Sequence, residues 1–180
     1  MKLISFLHNK QAKFGIINNE SITDLTGKIL GSNTLKELIQ NKGISEAKKY
    51  ASENQGNINL NDIEYLPLIP NPGKIICVGL NYSEHVKETN RTVEENPVVF
   101  HRFPESQTAH LQAIQRPIAS HSLDYEGEMA VIMGEGGKHI KPEDALKHIV
   151  GYSCYNESTI REWQRHTRQF GMGKNFEKTG

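Results

Sequence analysis

A chain of 180 residues in which 21 Lys and Arg balance 21 Asp and Glu has formal net charge zero, so it offers no basic field to nucleic acid or to an anionic membrane surface. No window holds the ~20 apolar residues of a membrane span. The apolar run at the N-terminus turns polar at His8-Asn9-Lys10, short of the ~7–15-residue core of an export signal.

Residues 2–7 and 12–17 pattern as two short strands joined at residues 8–11. Thr34 then precedes Leu35, Leu38 and Ile39 at helical spacing, and Gly43 ends that helix. Ser45 is placed to cap a second helix through Tyr50. A polar stretch over 52–61 leads into Pro67, Pro70 and Pro72, a cluster that predicts a domain boundary near residue 71. A small β/α domain over 1–70 is therefore expected, followed by a second domain over 71–180.

Residues 74–79 form a nearly continuous apolar run, the pattern of a strand buried on both faces. Residues 81–88 read as a short helix, and Val98-Val99-Phe100 opens another strand. A mostly irregular stretch over 102–122 follows, with His101, His110 and His121 in or beside it. Residues 124–134 are the clearest strand. Pro142 fits the first turn of a helix, with Glu143 and Asp144 beside it and Lys147 and His148 at its end, as the helix dipole prefers. Residues 151–156 return to strand, and Thr159 with Glu162 suggests a capping box for a last helix. The class is α+β, mostly β. Cys77 and Cys154, the only cysteines, sit in apolar stretches. They are expected to be buried thiols in a reducing cytoplasm rather than a bridge.

Alternation along the strand of residues 125–132 puts Glu126 and Glu128 on one face with Ala130 and Ile132. Two carboxylates on a half-buried face repel each other and lose hydration, and a bound cation removes both penalties. The alternative is that both point to solvent at the strand's start. Glu157, after the strand of 151–156, offers a third carboxylate. Oxygen-only ligation suits Mg²⁺, Mn²⁺ or Ca²⁺ rather than zinc, for which no HExxH or CxxC spacing is present. Arg161 and Gln164, three apart, share a helix face, which is either part of this site or an ordinary solvated face. His85 and Glu88 are also three apart, and a carboxylate beside an imidazole is what a water-activating base needs. A surface pair is the plainer reading. Gly171-Met172-Gly173-Lys174 fails as a phosphate loop, because Arg168 and Asn175 stand where Gly and Ser/Thr are required.

Several of these segments occur together and in order: Gly79-Leu80-Asn81-Tyr82-Ser83-Glu84-His85, Asp124-Tyr125-Glu126-Gly127-Glu128, Gly151-Tyr152, Asn156-Glu157, Arg161, Gln164 and Gly173-Lys174-Asn175-Phe176. In this the chain resembles the fumarylacetoacetate hydrolase superfamily, most strongly over 73–180. The resemblance implies a mixed β-sandwich or roll behind a small N-terminal domain. It also implies a catalytic domain that is incomplete here, because relatives continue beyond residue 180. It implies Glu126, Glu128 and Glu157 as ligands of Mg²⁺ (or Mn²⁺ or Ca²⁺), with Glu157 where the family usually has Asp. His85 and Glu88 match a catalytic dyad on a mobile lid over 81–95, and Lys174 matches a lysine that stabilises developing negative charge. Arg161 and Gln164 match substrate neighbours. The implied chemistry is hydrolysis, decarboxylation or keto–enol isomerisation of small 2-oxo or 2,4-dioxo acids, of the acylpyruvase or hydroxymuconate isomerase/decarboxylase type. A homodimer is implied as well, and neither nucleic acid nor membrane is expected as a partner. The competing expectation is a catalytically impaired, shortened relative that only binds metal or assembles.

Overall fold

A computed structural model describes residues 1–82 and 95–180. The chain divides into two compact units. One comprises Met1–Asn71, Thr108–Ala113 and Gly127–Tyr155, the other Pro72–Gln107, Ile114–Glu126 and Asn156–Gly180.

The first unit is organised by a five-stranded sheet. β1 (Lys2–His8) and β2 (Gln11–Asn18) form an antiparallel hairpin in which His8 faces Gln11. The two residues between them, Asn9 and Lys10, both have positive φ. A turn with both central residues left-handed matches the right-handed twist of the strands it joins. β3 (Ser21–Asp24) pairs with β2, β4 (Ile58–Asn59) with β3, and β5 (Glu64–Tyr65) with β1, all antiparallel.

Both faces of this sheet are covered. Phe14 and Ile16 pack with Leu25, Ile29 and residues of α1 (Leu35–Gln40) and α2 (Ile44–Glu53), while Ile4 and Phe6 pack with Ile22 and Ile58 on the other side. Each fully buried Phe or Leu contributes roughly 1.5–3 kcal/mol of transfer free energy. Thr34 caps α1 by accepting from the Glu37 amide at 3.1 Å, and Glu37 Oε2 accepts from the Asn33 amide at 2.7 Å. Ser45 does not cap α2; that helix starts one residue earlier, behind Gly43.

The same unit contains β9 (Gly127–Met133) and β10 (Ile149–Asn156, whose last residue belongs to the second unit), joined by a 3₁₀ helix over Pro142–His148. The tighter helix replaces the expected α-helix. One face of this ribbon is apolar and open: Met129, Val131, Met133, Val150 and Tyr152 are all exposed. Cys154 lies on that face and is exposed, and Cys77 is only partly buried, so the expectation of two buried thiols is corrected.

In the second unit, β6 (Ile75–Gly79) and β7 (Val98–Arg102) pair antiparallel over their whole length. β6 is apolar on both faces yet only half-buried, with Ile76 and Val78 exposed. β8 (Leu123–Asp124) pairs with β11 (Thr159–Ile160), which runs directly into α3 (Arg161–Gln164); α4 (Gly171–Lys174) follows. The strand expected over 124–134 is thus split, and Tyr125 and Glu126 stand between its two halves.

Candidate metal centre

The split is set by backbone hydrogen bonding. The Glu126 amide donates to Asn156 Oδ1 at 3.0 Å and the Glu157 amide donates to the Glu126 carbonyl at 2.8 Å. Glu126 therefore reaches the centre from a bridge between two short strands. The expected alternation of Glu126 and Glu128 on one strand face is corrected to this arrangement. One carboxylate oxygen from each of Glu126, Glu128 and Glu157 lies within 4.8 Å of the others. Two oxygens bound to one Mg²⁺ or Ca²⁺ at ~2.0–2.6 Å are at most about 4–5 Å apart, so the donor set fits a hard divalent cation.

Glu157 is buried, and Glu126 mostly so. Buried carboxylates need compensation, and each has it. Lys174 Nζ donates to Glu126 Oε1 and Oε2 at 3.1 and 3.0 Å and to Glu157 Oε2 at 2.9 Å. It also sits 5.1 Å from the centre of the Phe100 ring, whose face attracts a cation. Arg161 donates from Nη1 to Glu126 Oε1 at 2.6 Å and to Gln164 Oε1 at 3.1 Å, and from Nε to Asp124 Oδ2 at 2.7 Å. Arg102 donates to Glu157 Oε1 at 3.2 Å. Burial acts to raise the Glu126 carboxyl. The Lys174 charge, the Thr159 hydroxyl at 2.7 Å and Arg161 outweigh it and hold the group below the usual glutamate range. Glu126 is thus ionised at neutral pH, the state a ligand needs.

Lys174 reaches this point because α4 packs backbone to backbone on α3. A Cβ on Gly173 would lie 2.4 Å from the Gln164 amide nitrogen and 2.5 Å from the Ile160 carbonyl. Asn175 pins the end of α4 to the β7 end. Its Oδ1 accepts from the Phe103 amide at 2.7 Å, and its Nδ2 donates to the His101 and Gly171 carbonyls. Thr159, expected as half of a capping box, instead turns its hydroxyl to Glu126, and Glu162 accepts from Ser120. Sequence reasoning missed Arg102, which closes an apolar strand and then enters a stretch without periodicity. His85, Glu88 and most of the expected lid lie outside the described residues.

Residues 74–180 match the family model described as fumarylacetoacetate (FAA) hydrolase C-terminal. The chain is 37% identical over 136 residues to the mitochondrial oxaloacetate tautomerase of Xenopus laevis and 35% identical over 135 residues to that of Rattus norvegicus. In both cases the match covers 74% of this chain but 43% of the relative, so the chain spans less than half the length of these curated relatives. Among solved structures, the fumarylacetoacetate hydrolase of the psychrophile Exiguobacterium antarcticum superposes with a TM-score of 0.72 at 29% identity, covering 99% of this chain and 63% of that one. The maleylpyruvate hydrolase of Sphingobium sp. SYK-6 shares the fold with a TM-score of 0.72 at 21% identity, covering 99% of this chain and 64% of that one.

Proposed function

The chain belongs to the fumarylacetoacetate hydrolase family, and on that footing we propose that it is a divalent-cation-dependent enzyme of small 2-oxo acids, acting by keto–enol isomerisation, decarboxylation or carbon–carbon hydrolysis. The observation that carries the proposal is the convergence of Glu126, Glu128 and Glu157. These three residues would hold the ion, Mg²⁺, Mn²⁺ or Ca²⁺ by the hardness of the donors. When bound, the ion supplies Lewis-acid polarisation to an oxo acid that chelates through its carboxylate and 2-oxo oxygen.

The charge balance favours an anionic substrate. Lys174, Arg161 and Arg102 face four carboxylates, Asp124 as well as the three glutamates, so a divalent cation leaves a net positive charge that an oxo-acid carboxylate neutralises. Lys174, buried and aimed between Glu126 and Glu157, would stabilise negative charge developing on the substrate. Arg161 is committed to Asp124 and Glu126. Its part is then to orient Gln164 by donating to its Oε1, which turns the Gln164 amide nitrogen into a donor for a substrate. His85, with Glu88 fixing its tautomer, would move the proton. The closeness to oxaloacetate tautomerases makes oxaloacetate the first substrate to try.

The test measures the 180-residue chain with Mg²⁺, Mn²⁺ or chelator on oxaloacetate, acylpyruvates and hydroxymuconate-type acids. Metal-dependent turnover that Glu126→Gln abolishes supports the proposal. Turnover unaffected by chelation, or no cation binding, refutes it. A second reading, a metal-binding assembly protein without turnover, draws on the open apolar face of β9 and β10; metal binding with no turnover across the panel would select it. A cytoplasmic setting and a homodimer belong to the same proposal. Among the described residues no helix is long and apolar enough to cross a membrane.

A further inference from the structure

We infer that Arg102 is a positioning residue for Glu157, holding one oxygen of that carboxylate so that the other is presented beside Glu126. The inference rests on the metal reading above and deepens it. The Arg102 side chain is 0% exposed and that of Glu157 2%. Nη1 donates to Glu157 Oε1 and to the Ser158 carbonyl, both at 3.2 Å, Nε to Ser106 Oγ at 3.2 Å, and Nη2 to Thr179 Oγ1 at 3.0 Å.

Its anchors are themselves fixed. Ser106 Oγ donates to the Phe103 carbonyl at 2.7 Å, Thr179 Oγ1 donates to the Phe176 carbonyl at 2.8 Å, and the Gly180 amide donates to the Ser106 carbonyl at 2.9 Å. A guanidinium gripped in this way cannot follow a wandering carboxylate. Glutamate has one more rotatable bond than aspartate and therefore more positions to lose. Tying Oε1 to Arg102 removes that freedom and leaves Oε2, which Lys174 holds against Glu126, as the oxygen offered to a cation. Lysine at position 102 would keep the charge, but a compact ammonium on a flexible stem cannot span these acceptors together. Loss of such a supporting partner weakens metal binding by roughly 10–100-fold.

The test titrates Mn²⁺ into the metal-free 180-residue chain, reading free Mn²⁺ by electron paramagnetic resonance. It compares wild type, Arg102→Lys, Glu157→Asp and the double variant, with a thermal melt of each. Arg102→Lys is expected to weaken Mn²⁺ binding about 10–100-fold. In the Glu157→Asp background, where the shorter side chain no longer meets the guanidinium, the same change should add little. A purely structural role would lower the melting temperature and leave the affinity alone. Unchanged affinity in folded Arg102→Lys, or losses that simply add in the double variant, overturns the inference and leaves the metal reading standing. A wild-type chain that binds no Mn²⁺ overturns the metal reading and this inference with it. Should Arg102→Lys not fold, Thr179→Val decides: it removes one anchor without touching charge. A smaller weakening of the same sign supports the inference, and unchanged affinity overturns it.

Discussion

The ammonium of Lys174 lies within 3.1 Å of three carboxylate oxygens. It is the one positive charge that Glu126 and Glu157 share among the ion pairs described, beside Arg161 on the first and Arg102 on the second. Lys174→Met would leave Glu126 to Arg161 and Glu157 to Arg102 but take away the charge the two carboxylates share, and removing one partner of a buried pair costs up to ~3–5 kcal/mol. A urea melt of the metal-free protein should show a loss of that order. Restoring part of it with Mg²⁺ would indicate that a cation can take the lysine's electrostatic place; a wild-type melt would show that the ion pairs contribute little. Asp24, at the end of β3, provides a pH test. Burial acts to raise its carboxyl, but Lys13 at 2.6 Å and the Thr26 contacts hold it below the ordinary aspartate range. A depressed folded value means stability that is present above the unfolded value and lost as pH falls through the folded one. Asp24→Asn should therefore lower stability at neutral pH and flatten its fall in acid, measured as denaturation midpoint against pH. An acid slope identical to wild type would assign the fall to other groups. At this scale the sequence was informative where charge is unusual for its surroundings, as at Glu126 and Glu128. It was silent at Arg102, because an arginine at the end of a strand carries no pattern until Glu157, 55 residues away, is seen beside it.

Gly173 shows how short elements carry the geometry. α3 and α4 have four residues each, too short to hold position by their own hydrogen bonds. They are placed by contact, and the contact is closest where Gly173 meets Gln164 and Ile160. The obstructing atoms are backbone, so they cannot turn aside. Gly173→Ala should force α4 away, cost ~1–3 kcal/mol as overpacking does, and carry Lys174 out of reach of Glu157. Wild-type stability together with wild-type Mn²⁺ affinity in that variant would contradict this placement. The first hairpin and α1 were legible because alternation, the turn residues and the Thr34 cap agree. The strand of 124–134 was misjudged in its middle. Its alternation reads as one strand, but the side chain of Asn156 and the amide of Glu157, neither predictable from local pattern, take the hydrogen bonds of Glu126. Thr159 was misassigned for the same reason, since a long-range acceptor outbids the local cap.

For the whole molecule, net charge and surface pattern point the same way. Met129, Val131, Met133 and Tyr152 all lie on one face of β9 and β10 and are each more than 40% exposed. Exposed apolar clusters of this kind mark interaction surfaces in native proteins. A formal net charge of zero supplies no long-range repulsion between copies. The 180-residue chain should therefore associate with itself, each copy covering the other's open ribbon, and light scattering across ~1–100 µM should give a mass above 20.3 kDa. Association through a hydrophobic face strengthens as salt is added, whereas association through charge weakens because salt screens it. Val131→Lys, which puts a charge in the middle of the face and touches none of the carboxylates, should shift the mass toward the monomer and leave Mn²⁺ binding intact. A wild-type chain that stays monomeric over the whole range would show that this face does not bind a second copy. A Val131→Lys variant as large as wild type would place the self-contact elsewhere on the surface.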